Sequence, residues 1–291
     1  MELPRSGYYR IRLLERRHGF PAALATVLVA VAGLLVWRGY GFYTLGLEAR
    51  VDHPDFQLLR PSGLLGNGLG YAGALLVTLN LLYLARRRNL FGAGSMRLWL
   101  NIHVFTGLLG AELAAFHSAF QFRSPLAKLT AASLGVVVVT GIIGRFIHAL
   151  AGRAGERHMT PVIQALEERA PGLGKVLLAA VDAFPPTELP ANASHLRCLA
   201  TMPRWWREAR DRRDAVRIVG RGHKAVVGSR ELGALVGQAA QAAAAEVRAV
   251  SRTALLRSWR SLHRLSAILM LLAVAVHAAV AWHYGYRWVF G

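Results

Sequence analysis

Long apolar runs alternate along this chain with basic, polar connections. The runs extend from Phe20 to Trp37, Leu64 to Leu84, Leu98 to Phe120, Ala127 to Leu150 and Leu262 to Trp282. Each is close to the roughly 20 residues a helix needs to cross a bilayer. The first run sits where a signal sequence would. Its apolar core is long and no small-x-small site follows it, so it reads as a span.

Between the fourth and fifth runs the pattern changes. Residues 151–259 mix helical periodicity with expected breaks at Pro161, Pro171, Pro185, Pro186 and Pro190. The last part, from SRELGALVG to RSLH, is Ala-rich and free of proline, and predicts one long helix running into the fifth span. The predicted fold is therefore an all-α membrane protein. It has a basic cytoplasmic arm (1–19), transmembrane helices one to four (20–150), a helical cytoplasmic insert (151–259), and a fifth transmembrane helix with a short outer tail (260–291).

Composition agrees with this pattern. The chain is 54% hydrophobic and only 18% charged, against about a quarter in soluble domains. The net charge of +19 would suit nucleic acid, but its placement argues against that partner. Arg5, Arg10, Arg12, Arg16 and Arg17 precede the first span, and Arg86, Arg87, Arg88 and Arg97 separate the second from the third. Arg145, Arg153 and Arg157 mark the end of the fourth. Basic residues gathered on alternate connections follow the positive-inside rule, with anionic lipid as a second partner. The rule places the amino terminus in the cytoplasm and the carboxyl terminus outside a bacterial-type cytoplasmic membrane. The lone cysteine, Cys198, excludes an internal disulfide, a CxxCH haem attachment and a cysteine-ligated iron–sulfur cluster within this chain.

The spans carry a repeated polar pattern. His103 and His117 bracket thirteen residues in span three, and His263 and His277 bracket thirteen in span five. Fourteen residues of α-helix rise about 21 Å and make nearly four turns, so each pair shares one face at two depths. Spans three and five run in the same direction under the predicted topology. His103 then matches His263 on the cytoplasmic side, and His117 matches His277 outside. Ionisable side chains inside hydrocarbon are costly and point to function. Paired imidazoles can fill both axial positions of a haem iron, which leaves electron transfer rather than oxygen binding. The expectation is a four-helix bundle with two non-covalent b haems.

Small residues lie on the same stripes: Gly107, Gly110 and Ala114 on span three, and Ala267 and Ala273 on span five. They would let a flat porphyrin approach the backbone. Small residues also pack membrane helices directly, the reading given to Gly66, Gly70, Gly141 and Gly144. Arg97, Arg145, Arg260 and Arg264 stand at the depth of His103 and His263, placed for haem propionates or for lipid phosphate.

These residues carry a resemblance. The twofold His-x13-His on two spans separated by one other resembles the cytochrome b of quinol:cytochrome c oxidoreductases, over spans two to five. A second resemblance is to the transmembrane domain of ferric reductases and NADPH oxidases. The insert over 151–259 belongs to neither pattern. The first resemblance implies a membrane cytochrome b subunit, with quinone as a further ligand. Its partners would be other redox subunits: a c-type cytochrome, an iron–sulfur protein or a flavoprotein. The second implies a haem reductase fed by a separate cytoplasmic flavoprotein. A third class, a transporter whose buried histidines handle protons or metal, fits the histidines alone.

Other polar residues have plainer readings. Glu112 lies on the face of span three opposite His103, as a proton-transfer group or as a structural acid beside Asn80 or Thr140. His148 reads as interfacial, and His283, with Trp282 and Tyr284, as part of an aromatic belt. Trp205 and Trp206 suit either an interfacial anchor or ordinary packing.

Overall fold

The computed structural model describes residues 6–90, 95–152 and 159–286. Arg5, Arg153 and Arg157 lie outside the described residues, as does the side chain of His148. Every regular element among the described residues is helical. Five helical stretches are long and apolar enough to cross a membrane: Gly19–Tyr43, Phe56–Arg87, Met96–His117, Pro125–Ile147 and Arg230–Tyr284. The chain divides into two units, Met1–Val139 with Ser266–Gly291, and Thr140–Leu265.

The first unit opens with α1 (Ser6–Tyr43), which already includes most of the basic arm. A loop carries the short α2 (Phe56–Leu59) and leads to α3 (Leu64–Leu79). The second apolar run is one element in the sequence but two here. Asn80 separates α3 from α4 (Leu81–Arg87), and its Oδ1 accepts a hydrogen bond from Thr106 Oγ1 at 2.7 Å. Helix α5 (Met96–His117) starts at Ser95, whose hydroxyl accepts from the Leu98 amide, an ordinary N-cap.

Glycines allow α3 and α5 to pack closely. A Cβ on Gly73 would stand 3.0 Å from the Gly110 carbonyl oxygen, and one on Gly110 would stand 2.8 Å from Val77 Cγ2. Apolar side chains gain little from leaving lipid for another helix, so close backbone contact supplies the attraction. The α5 end of the unit is closed by a small cluster of Phe42, Leu59 and Ala119.

Two helices belong to both units. These are α6 (Pro125–Gly152) and the 52-residue α10 (Arg230–Ala281), which ends in a π-helical turn, Trp282–Tyr286. The long proline-free helix expected from the sequence is therefore present.

The second unit contains α7 (Met159–Arg169), α8 (Leu173–Asp182) and α9 (His195–Gly222), packed on the first part of α10. Pro161 does not break the chain. It sits in the first turn of α7, where its missing N–H removes no helical bond. Pro171, Pro185, Pro186 and Pro190 do fall in connections. Leu166, Leu173, Leu177, Val216 and Val236 form the core with Ala239, Ala240, Ala242 and Ala243. The alanines keep α10 thin on the face that α9 covers. Contacts between the two run antiparallel: Gly220 meets Val236, Arg212 pairs with Glu246, Cys198 meets the Ala254 carbonyl and His195 meets Ser258. Trp205 is 2% exposed in this seam and donates Nε1–H to the Thr187 carbonyl at 2.7 Å, while Trp206 is 72% exposed. Trp205 is thus a packing residue, and the two tryptophans do not act as one anchor.

Candidate cofactor site at the paired histidines

In the first unit, span three and span five bring His117 and His277 together. Their ring centres are 6.3 Å apart and the ring planes cross at 81°. A metal–imidazole bond of 2.0–2.1 Å puts two rings on opposite sides of one metal atom about 6.4 Å apart, centre to centre. The observed centre-to-centre spacing is close to that distance.

The setting of His117 fits the same role. Its Nδ1 lies 2.9 Å from the carbonyl oxygen of Gly66 on α3. A carbonyl can only accept, so Nδ1 carries the proton and Nε2 keeps its lone pair for a metal. Ligating histidines are commonly fixed this way, through the nitrogen that does not bind metal. Gly70, one turn further along α3, makes room for the ring: a Cβ there would stand 2.7 Å from Nδ1. Sequence reasoning gave Gly66 and Gly70 to helix packing. The structure sets both against a candidate ligand.

His263, in the second unit, has a similar setting on span four. Its Nδ1 is 2.9 Å from Thr140 Oγ1, and a Cβ on Gly141 would approach its Cε1 to 3.5 Å. Trp259, one turn earlier, stacks on it with ring centres 5.4 Å apart. The indole N–H of Trp259 donates to the Thr140 carbonyl at 2.7 Å, and its ring fills the space over Gly144. His103 belongs to the first unit, where its ring lies 4.9 Å from that of Tyr83. His103 and His263 thus fall in different units.

The other sequence candidates separate. Gly107 and Gly110 do not look onto open space. Asn80 Nδ2 stands over Gly107, and Val77 and Gly73 stand over Gly110. Their glycine identity is accounted for by packing against α3 and the Asn80 that follows it. The Ala114 amide is part of the same seam, 3.4 Å from a Cβ built on Gly73. The Ala273 carbonyl accepts a 3.4 Å hydrogen bond from Thr130 on span four, and Ala267 is half-buried. Arg97 and Arg145 are exposed. Arg260 and Arg264 each donate Nε–H to a carbonyl one turn back on their own helix. Glu112 has a buried Oε1 with no hydrogen-bond partner among the described residues, and Asn80 is engaged with Thr106 instead.

One residue close to the site escaped sequence reasoning. Arg50 lies in the loop after α1 and is 7% exposed. Its guanidinium donates to three carbonyls, those of Tyr43 (2.8 Å), Leu45 (2.9 Å) and Ala119 (2.9 Å). Ala119 is two residues past His117. Burial holds the Arg50 pKa below the usual arginine value, opposed by the nearby Tyr43.

Among the described residues, no three His, Cys, Asp or Glu side chains group as ligands for a metal ion. An ion held by protein ligands alone would need such a group. A haem needs only two, because the porphyrin supplies the other four. Comparison with family models, with curated proteins and with solved structures finds no match to this chain.

Proposed function

We propose that this chain is a multi-pass membrane protein that transfers electrons through non-covalent b haem, held between His117 and His277. The observation that carries the reading is the 6.3 Å spacing of these two rings, with His117 turned by the Gly66 carbonyl so that Nε2 is available. The His-x13-His spacing extends the same reading to His103 and His263, giving two haems. A haem held by these histidines would supply one-electron exchange.

The protein's own part is to bind and to hold. Gly66 and Thr140 orient one imidazole each through Nδ1, and Gly70 leaves room for the ring of His117. The five apolar helices keep the site in lipid. A quinol, which gives up two electrons singly and its two protons to water, is the proposed donor class. A one-electron redox protein is the proposed acceptor, in a bacterial-type cytoplasmic membrane.

The test is a visible spectrum of the intact protein purified from membranes. A sharp reduced α band, with pigment extracted by acid–acetone and counted at two per chain, is expected. Intact protein without pigment would end the reading.

A further inference from the structure

Arg50 has more charge than its packing needs. Its three acceptors are carbonyls at or near helix ends, Tyr43 closing α1 and Ala119 just beyond α5. Such carbonyls carry the negative end of the helix dipole and need donors. No acidic side chain is paired with Arg50 among the described residues. The Phe42 ring covers the guanidinium, with Cζ 5.0 Å from the ring centre. A full cation is thus buried with only partial charges to offset it, a costly arrangement.

The position suggests what that cost serves. Ala119 and Phe120 both adopt positive φ, 47° and 59°, so the chain turns sharply just past His117. Arg50 grips this turn and the end of α1 at once. Its charge is fixed two residues along the chain from a candidate haem ligand. In a low-dielectric surrounding a fixed cation acts strongly on a nearby change of charge.

We propose that Arg50 is an electrostatic positioning residue for the His117–His277 site. It pins the loop after α1 over the end of α5, and its unpaired charge raises the reduction potential of the group held there. The proposal rests on the haem reading above. If Arg50 were only a cap for carbonyls, its neutral replacement would loosen the loop and leave the potential where it was.

The experiment is redox titration of the full-length protein, wild type against Arg50→Gln and Arg50→Lys. The haem lost in His117→Ala identifies the relevant midpoint. Arg50→Gln is expected to lower that midpoint and leave the other haem unchanged, while Arg50→Lys keeps it near wild type at neutral pH. As pH rises, Arg50→Lys should show an extra fall absent from wild type, when the lysine loses its proton. Among the described residues, Tyr43 of α1 interacts electrostatically with Arg50 and His53 of the same loop packs on Phe42, and both are present in every variant. An unshifted midpoint in Arg50→Gln overturns the proposal and leaves the haem reading standing. Wild-type protein without haem overturns both. If Arg50→Gln yields no haem-loaded protein, Arg50→Lys decides: the extra pH-dependent fall supports the proposal, and a profile parallel to wild type overturns it.

Discussion

The Nδ1 of His117 and the carbonyl oxygen of Gly66 are 2.9 Å apart, across 51 residues of sequence. A helix carbonyl is ordinarily committed to the amide four residues on. Here it also receives an imidazole N–H from the neighbouring span, and so fixes both the tautomer and the direction of His117. The absence of a side chain at Gly70 is what lets the ring come this close.

His117→Ala and His277→Ala should each abolish the same haem signal, because one iron would lose either of its two axial ligands. His283→Ala should leave both signals intact, since among the described residues its ring packs on Tyr284. Low-temperature difference spectra of the three variants decide the point. Loss of different signals from the His117 and His277 variants would show that the two imidazoles do not share a metal.

Gly70→Val should disturb the haem that depends on His117. The first added carbon falls 2.7 Å from Nδ1, on a ring already hydrogen-bonded through that nitrogen to the Gly66 carbonyl. Reduced haem occupancy, or a shifted α band, is the expected result. Gly33→Ala on α1, with nothing within 4 Å of the new carbon, serves as the silent control.

Gly110→Leu should destabilise the protein by roughly 1–3 kcal/mol, the usual cost of overpacking a tight core. The cause is collision with Val77 and the Gly73 backbone on α3, so thermal unfolding of the detergent-solubilised protein should report it. Leu109→Ala should be much milder. Equal stability of Gly110→Leu and wild type would contradict the α3–α5 contact.

Glu167 gives the second unit a dependence on acid. Its carboxylate accepts the amides of Gly172 (2.8 Å) and Gly174 (2.9 Å) at the start of α8, and these hydrogen bonds hold its pKa below the usual glutamate value. The folded-state value is the lower one. The contribution is therefore fully present above the unfolded value of about 4.3 and disappears as pH falls through the depressed value. Hydrogen exchange at α7 and α8 should accelerate on acidification in wild type. In Glu167→Gln the exchange should already be faster at neutral pH and respond less to acid.

The five spans were legible because bilayer thickness imposes a length that a simple run of apolar residues meets. The histidine spacing was legible because helical phase is set by sequence distance alone. The neighbours of those histidines were not. Every residue offers a carbonyl, so nothing in the sequence singles out Gly66 as the partner of His117. Gly110 was placed on the histidine stripe correctly by phase, yet phase does not say which neighbouring helix meets that stripe. It meets α3. Asn80, between α3 and α4, is engaged by Thr106 of α5, a tertiary bond with no local sequence signal to announce it. Arg50 was hidden for another reason: an arginine in a connection reads as topology, and its burial under Phe42 depends on how the loop closes.

The 52-residue α10 holds its seam with α9 and the position of His263 on one uninterrupted helix. A helix transmits angle as well as distance: each added residue turns everything beyond it by about 100°. The direction in which His263 points is therefore indexed to the alanines that α9 covers. A single residue inserted just after Ser258, beyond the seam, would swing His263 away from Thr140 without touching either side chain, whereas an insertion of seven would almost restore the bearing. The seam acts as a protractor for the histidine, and the insert between spans four and five sets its zero.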